Sequence, residues 1–535
     1  MRIGRRGFLE VCTMAGVRTA FGDAGDRRGE ERTRGTRAFH LSVSPQALEE
    51  DPGRLHLFAA SGVTDVWLAG FFYGYWPALP DRIQAWMKRV EEAGMAAHII
   101  NIPLGHPGDS LGPSAEPVPL TPGAHWRPGM RPDGSRYMGT SLHAPATEEN
   151  VESLRQLQSL GVKRVFLDDD FRLAQGPGVI GGCFCEEHRK EFLQSHGYKE
   201  GHWNELLDSV RARSLTRVLR DWVEFTCDQL TACFRAQQAA ARRIDLGIMV
   251  MYFGAEKAGI RLRDYRDVPM RVGEMMFDDA SFGTVKNKTA ELFSCFFHRR
   301  FVSPKRAYSE TTAFPADKLS AKNMAAKLVI STLADVRNTM FMSGISPFPK
   351  KHWETLAPAM RKQAAMHERI AGHVPRGPFK HYWGEHSRMA GDDNPYSLFL
   401  ATGVPFEVTE RAAREGWTFL SDADGRALDE GRVRSAGTTF VTRPSASAVG
   451  SGARTVEETL ADLFALKREM LPQLREVPYV EDEKPVVCAW YPTAQAVMLW
   501  NLSECRETFR VRYRDTCRTT EIEGLDAVLL TDMGI

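Results

Sequence analysis

From residue 37 onward, short apolar runs alternate with longer stretches whose apolar residues recur every three or four positions. The first pattern suits a buried strand and the second an amphipathic helix. Their alternation is the signature of a parallel sheet wrapped by helices. Eight runs stand out, at residues 38–43, 63–69, 97–102, 164–167, 246–252, 270–276, 305–309 and 338–342. Between the second and third, Pro80 opens a helix with the apolar face Ile83, Trp86, Met87 and Val90, and Gly94 stops it. Further helices are expected over 148–159, 186–195 and 321–333, with one long helix over 203–242. Eight strands in series predict an α/β fold, a (β/α)8 TIM barrel over residues 37–372. The Gly/Pro-rich segment 106–146 reads as a long loop, of the kind that carries function.

Past residue 372 the character changes. Strands are expected at 396–403, 417–420 and 438–442, then a helix over 456–471. This predicts a small Rossmann-like α/β domain over 373–478. The final stretch, 479–535, has strand-like runs at 496–502, 508–513 and 527–530, and reads as a small β-sandwich-type domain. Residues 1–36 stand apart. Arg5-Arg6 followed by Phe8-Leu9 and the mildly apolar 11–20 resembles a twin-arginine (Tat) export signal, although Arg18 interrupts it. Two readings stand: an exported, periplasmic or extracellular protein, or a cytoplasmic one with a disordered basic N-terminus.

Composition narrows the function. Hydrophobic residues make up 43% and charged residues 26%, which fits a folded globular chain. With 69 basic and 68 acidic residues the net charge is +1, so nothing argues for a nucleic-acid or membrane-surface partner. Nine scattered cysteines are no disulfide framework. Cys183 and Cys185, with His188 following, are weak candidates for half a metal site; Cys295 and His298 are conceivable further ligands. No cofactor is expected.

In a (β/α)8 barrel the strand C-termini converge on one mouth. Acids stand there on three strands: Asp168, Asp169 and Asp170 after the fourth, Glu274 on the sixth and Glu310 after the seventh. Gathered carboxylates are costly unless a substrate, cation or shared proton compensates. Glycosidic hydrolysis needs such a pair, one protonated and one ionised, and in a retaining enzyme they stand about 5–5.5 Å apart. Tyr308, Thr311 and Thr312 flank Glu310 and are suited to fixing a nucleophile's orientation. Asp168 is expected to cap backbone or pair with Arg172. Candidate sugar-binding residues are the aromatics Trp67, Phe72, Tyr73, Tyr75, Trp76, Tyr252 and Tyr308, with Arg172. For each aromatic, core packing is the competing reading.

Taken together, Tyr308-Ser309-Glu310-Thr311-Thr312, Phe166-Leu167-Asp168-Asp169-Asp170-Phe171-Arg172, Cys183-Phe184-Cys185 and Ser397-Leu398-Phe399-Leu400-Ala401-Thr402-Gly403 resemble the β-galactosidases of glycoside hydrolase family 42 and their relatives, including the family 164 β-mannosidases. The resemblance implies that Glu310 is the nucleophile and a strand-four acid the proton donor. It also implies a β-linked glycoside or oligosaccharide substrate, and an amidotransferase-like middle domain that builds a homotrimer. The chain departs from the pattern in carrying aspartates where the family has a glutamate. Asp170 or Asp169 is then the expected donor, with Glu274 in reserve. The expected activity is that of an exo-acting retaining glycosidase. The alternatives are a carbohydrate-binding protein that has lost catalysis and a metal-dependent barrel hydrolase.

Overall fold

In the computed structural model the described residues are 37–105, 122–168, 171–174, 176, 178–273, 275–434, 437–446, 452–474 and 476–531. The expected export signal lies outside them, as do Asp169, Asp170 and Glu274. Among the described residues no helix is long and apolar enough to cross a membrane.

The barrel strands are β1 (Ala38–Val43), β2 (Asp65–Phe72), β3 (Ala96–Ile102), β4 (Arg164–Leu167), β5 (Asp245–Met251), β6 (Met270–Gly273), β7 (Ala307–Thr312) and β8 (Asn338–Met342). All eight pair in parallel, each with its sequence neighbours, and β1 closes on β8 with His40 opposite Met340. The fold is a (β/α)8 barrel followed by a small α/β domain and a β domain.

Among the strand ends that differ from the apolar pattern, those of β6 and β7 have consequences for the carboxylates. β6 stops at Gly273, short of residue 276. The amide of Met276 donates instead to Glu291 at 2.9 Å, and Lys327 donates to the Met276 carbonyl at 2.7 Å, so buried side chains from two helices take this backbone out of the ladder. β7 runs on to Thr312, which puts Glu310 inside the strand rather than beyond it. The two-residue period of a strand then sorts its side chains. Ser309 faces the surrounding helices, 3.2 Å from the Thr339 hydroxyl, while Tyr308 and Glu310 face the barrel interior.

The expected helix over 203–242 is two helices, Glu200–Ala212 and Arg217–Ala240. No glycine or proline marks the break. Arg213 takes a left-handed backbone (φ 50°), and the Thr216 hydroxyl caps the second helix.

After the barrel, strands Phe379–Tyr382, Phe406–Thr409, Trp417–Leu420, Thr439–Thr442 and Arg454–Thr455 form a parallel sheet. The expected strand at 396–403 is instead a 3-10 helix, Ser397–Ala401, wholly buried between the sheet and the barrel helix Val285–His298. A continuous apolar run reads alike for a buried strand and a buried helical turn, so tertiary packing decides. Two three-stranded antiparallel sheets complete the chain, around a core that includes Cys488, Leu499, Phe509 and Val511. Residues 36–535 form one compact unit.

Candidate active site at the barrel mouth

The barrel interior is a stack of side chains. Its floor is aromatic: Phe166 packs tilted against Trp67 and edge-on against Tyr308, with centroids 4.8 Å apart in each pair. The Trp67 indole donates to His40 at 3.1 Å, and the Tyr308 hydroxyl accepts from Arg164 at 2.9 Å. Both rings are therefore packed near the N-terminal end of the barrel, below the carboxylates. Burial pushes the Tyr308 phenol up to about 12.

Above this floor lies Arg271 of β6, with no exposed surface. Its guanidinium sits 5.4 Å from the Phe166 ring centre and against the sulfurs of Met340 (3.0 Å) and Met249 (3.1 Å). Nε lies 2.8 Å from Glu310 Oε2, and Nη2 contacts Asp168 Oδ1. One cation is thus shared by the carboxylates of β4 and β7. Burial lowers the Arg271 pKa, and the charge of Glu310 works against that fall. The Thr312 hydroxyl donates to the other oxygen of Glu310. Asp168 and Glu310 are each only 3% exposed, so their charges stand in a largely dry setting where pairing is obligatory. Asp168, expected to pair with Arg172 or cap backbone, is held by Arg271. Arg271 itself carried no sequence signal: it sits within the apolar run Met270-Arg271-Val272, where a charge reads as an interruption.

The aromatic run after β2 forms a wall. Phe72 and Tyr75 exchange backbone hydrogen bonds of 2.8 and 2.7 Å around Gly74, whose φ of 99° favours glycine. Phe72 and Tyr73 are buried, while Tyr75 and Trp76 are half-buried. Phe71 joins Trp76 to Trp126 (centroids 5.4 and 6.4 Å), a partner the sequence reading did not include. Tyr252 is buried beside Phe253 after β5, and Arg172 is buried beside Gly254.

A second cluster lies where the β4 loop enters the helix Glu186–His196. Cys185 Sγ is 3.3 Å from His188 Nδ1 and 3.4 Å from His143 Nε2, and the two imidazoles stack at 4.4 Å. Cys183 is buried nearby, and burial, with the charge of Cys185, pushes its thiol pKa up. Burial and the charge of His143 bring His188 down to about 4, leaving a neutral imidazole able to act as a ligand. The Cys185 sulfur and one nitrogen from each of His143 and His188 lie within 4.8 Å of one another and offer three ligands of the kind that hold Zn2+. The missing ligand is His143, not Cys295 or His298. His298 faces inward on the helix Val285–His298, its Nδ1 on the Ser294 carbonyl at 2.8 Å.

The same fold occurs in known enzymes. No family model matches the chain, and no curated relative matches it. Among solved structures, a β-galactosidase from Rahnella sp. R3 superposes with a TM-score of 0.59 at 11% identity, covering 93% of this chain and 98% of its own. A β-galactosidase from Bacillus circulans sp. alkalophilus gives 0.58 at 10%, covering 92% and 98%. One from Marinomonas ef1 gives 0.58 at 9%, covering 92% and 99%. The likeness extends over the barrel and both following domains, and it is a likeness of fold.

Proposed function

We propose that the protein is a glycoside hydrolase that cleaves a β-linked sugar from the end of a glycoside or oligosaccharide with retention of configuration. Glu310 is the nucleophile. The proton donor is Asp170 or Asp169, with Glu274 the remaining candidate. The observation that carries the reading is the meeting of the β4 and β7 carboxylates, Asp168 and Glu310, at one buried guanidinium above the barrel floor. Two carboxylates with one cation leave surplus negative charge, which an oxocarbenium-like transition state would offset. Because Arg271 holds Asp168, that residue acts as an anchor and leaves proton donation to a neighbour. The half-buried Tyr75 and Trp76 offer stacking surface for a sugar ring. The β-galactosidases that share the fold support a β-galactoside as the first substrate to test. Assembly into a trimer through the middle domain belongs to the same reading.

Glu310→Gln is the direct test. On an activated aryl β-galactoside it is expected to lower kcat by at least about 10^3-fold with the fold intact, since it removes the covalent route. Labelling by a 2-deoxy-2-fluoro glycoside should mark the peptide bearing Glu310. A Gln variant as active as the parent would end the assignment. A second reading, sugar binding without catalysis, draws on the fact that both Glu310 oxygens are already engaged, by Arg271 and Thr312. Saturable binding of a glycoside panel with no turnover would favour it.

A further inference from the structure

The loop that leaves β5 is unusual for a loop at a barrel mouth. Residues 252–260 are all buried, including the charged pair Glu256 and Lys257, at 4% and 1% exposure. Among the described residues, both find their counter-ions outside the barrel. Arg388 of the middle domain pairs with Glu256, and Asp393 of the same domain lies 2.5 Å from the Lys257 ammonium. Lys257 also donates to the carbonyl of Gly391 at 2.9 Å.

The β5 loop also grips the β4 loop, through the carbonyls of Lys257 and Ala258. The Leu173 amide donates to the Ala258 carbonyl at 2.9 Å, and the Gly181 amide to the Lys257 carbonyl at 2.6 Å. Two points of the β4 loop, Leu173 and Gly181, thus hang on consecutive carbonyls of the β5 loop. Arg213 adds a strut, donating to Gly178 at 2.6 Å and to Gly391. Backbone strain marks both exits: Phe171 (φ 33°) and Tyr252 (φ 52°) hold left-handed conformations that side chains rarely adopt. Such conformations persist where surrounding structure over-determines them.

We propose that the Glu256–Arg388 and Lys257–Asp393 pairs form a clamp through which the middle domain positions the β4 loop, and with it Asp168 at the mouth. These four are positioning residues. Buried ion pairs are weak devices for stability but fix geometry, because a mispaired buried charge is costly. The middle domain is on this account part of the catalytic apparatus without touching substrate. The effect on turnover rests on the hydrolase reading; the effect on loop order does not.

The experiment is hydrogen–deuterium exchange of the full-length protein read by mass spectrometry, with Lys257→Met and, from the other side of the seam, Asp393→Asn. In both variants, peptides spanning 173–182 are expected to exchange at least about threefold faster, while those of β1 and β8 keep the parent's protection. For the glycosidase, kcat should fall about tenfold with KM within about twofold, a split that general destabilisation assayed well below Tm would not produce. Unchanged exchange at 173–182 in folded Asp393→Asn overturns the clamp. Should Lys257→Met fail to fold, the asparagine variant decides alone. If the parent hydrolyses no glycoside, the functional reading fails and the exchange data still judge the clamp.

Discussion

At the scale of single residues, Arg271 decides more than any acid. Among the described residues it is the cation that both Asp168 and Glu310 contact, and it stands with no exposed surface among thioethers and an aromatic ring. Arg271→Met fills similar space but leaves two buried carboxylates without a counter-ion. Breaking a buried pair from one side typically costs about 3–5 kcal/mol. Urea unfolding should therefore show a loss of that order, together with loss of activity. Adding Asp168→Asn to Arg271→Met should recover part of the stability by removing one stranded charge, and a double variant less stable than the single would contradict this account. Glu310 was a candidate in the sequence because it closes an expected strand and sits among hydroxyls. Its partner was not, because a lone arginine in a strand pattern looks the same whether it is an interior ion or a surface accident.

At the scale of elements, the β4 loop is held at both of its ends. One end hangs on the β5 loop. The other enters the helix Glu186–His196 through Cys183, Cys185 and His188, and the Phe184 amide donates to Met130 at 2.9 Å in a hairpin, Pro128–Met130 with Arg136–Thr140, that the segment expected as a plain loop contains. With His143 contributed from beyond that hairpin, a metal there would staple two mouth loops together. The purified protein is expected to carry about one Zn2+ per chain by elemental analysis. Chelation should lower Tm and loosen the hairpin and helix start, and Cys185→Ser should abolish the metal content. A parent protein with no stoichiometric metal and a Tm indifferent to chelator would refute this. The sequence offered the Cys-x-Cys-x-x-His half of the site, whose ligands are local. It withheld His143, whose contribution depends on how the long loop folds back.

For the whole molecule, buried histidines make acid the weak side. Burial, the largest cause in each case, brings His40, His298 and His367 from 6.5 down to about 4. The unfolded chain takes up protons as pH falls through 6.5, whereas the native state takes them up only near 4. Stability is therefore full above 6.5, is lost as pH falls toward 4, and the loss levels off below that. Each unit of pKa difference is worth about 1.4 kcal/mol at most, so the sum is felt across the molecule. The urea midpoint should drop markedly between pH 7.5 and 5. His298→Phe should flatten that drop, since it removes a histidine whose Nε2 is buried without a hydrogen bond; an unaltered pH profile in that variant would count against the argument.

The order of apolar runs determined the barrel, because each strand must bury both faces and each helix one, whatever the loops do. The runs at 38–43, 164–167 and 338–342 coincide with β1, β4 and β8. Polar strands escaped that logic: Thr516–Ile522 is almost wholly exposed and exists through its pairing with Glu507–Tyr513. The buried run 396–403 became a 3-10 helix because the space between barrel and sheet admits that shape. Only the tertiary structure decided where Arg271 points, which acids it gathers, and that the middle domain supplies the counter-ions of the β5 loop. Periodicity records which side of an element is dry, and charge partners come from residues far apart in the chain, so no local pattern encodes them.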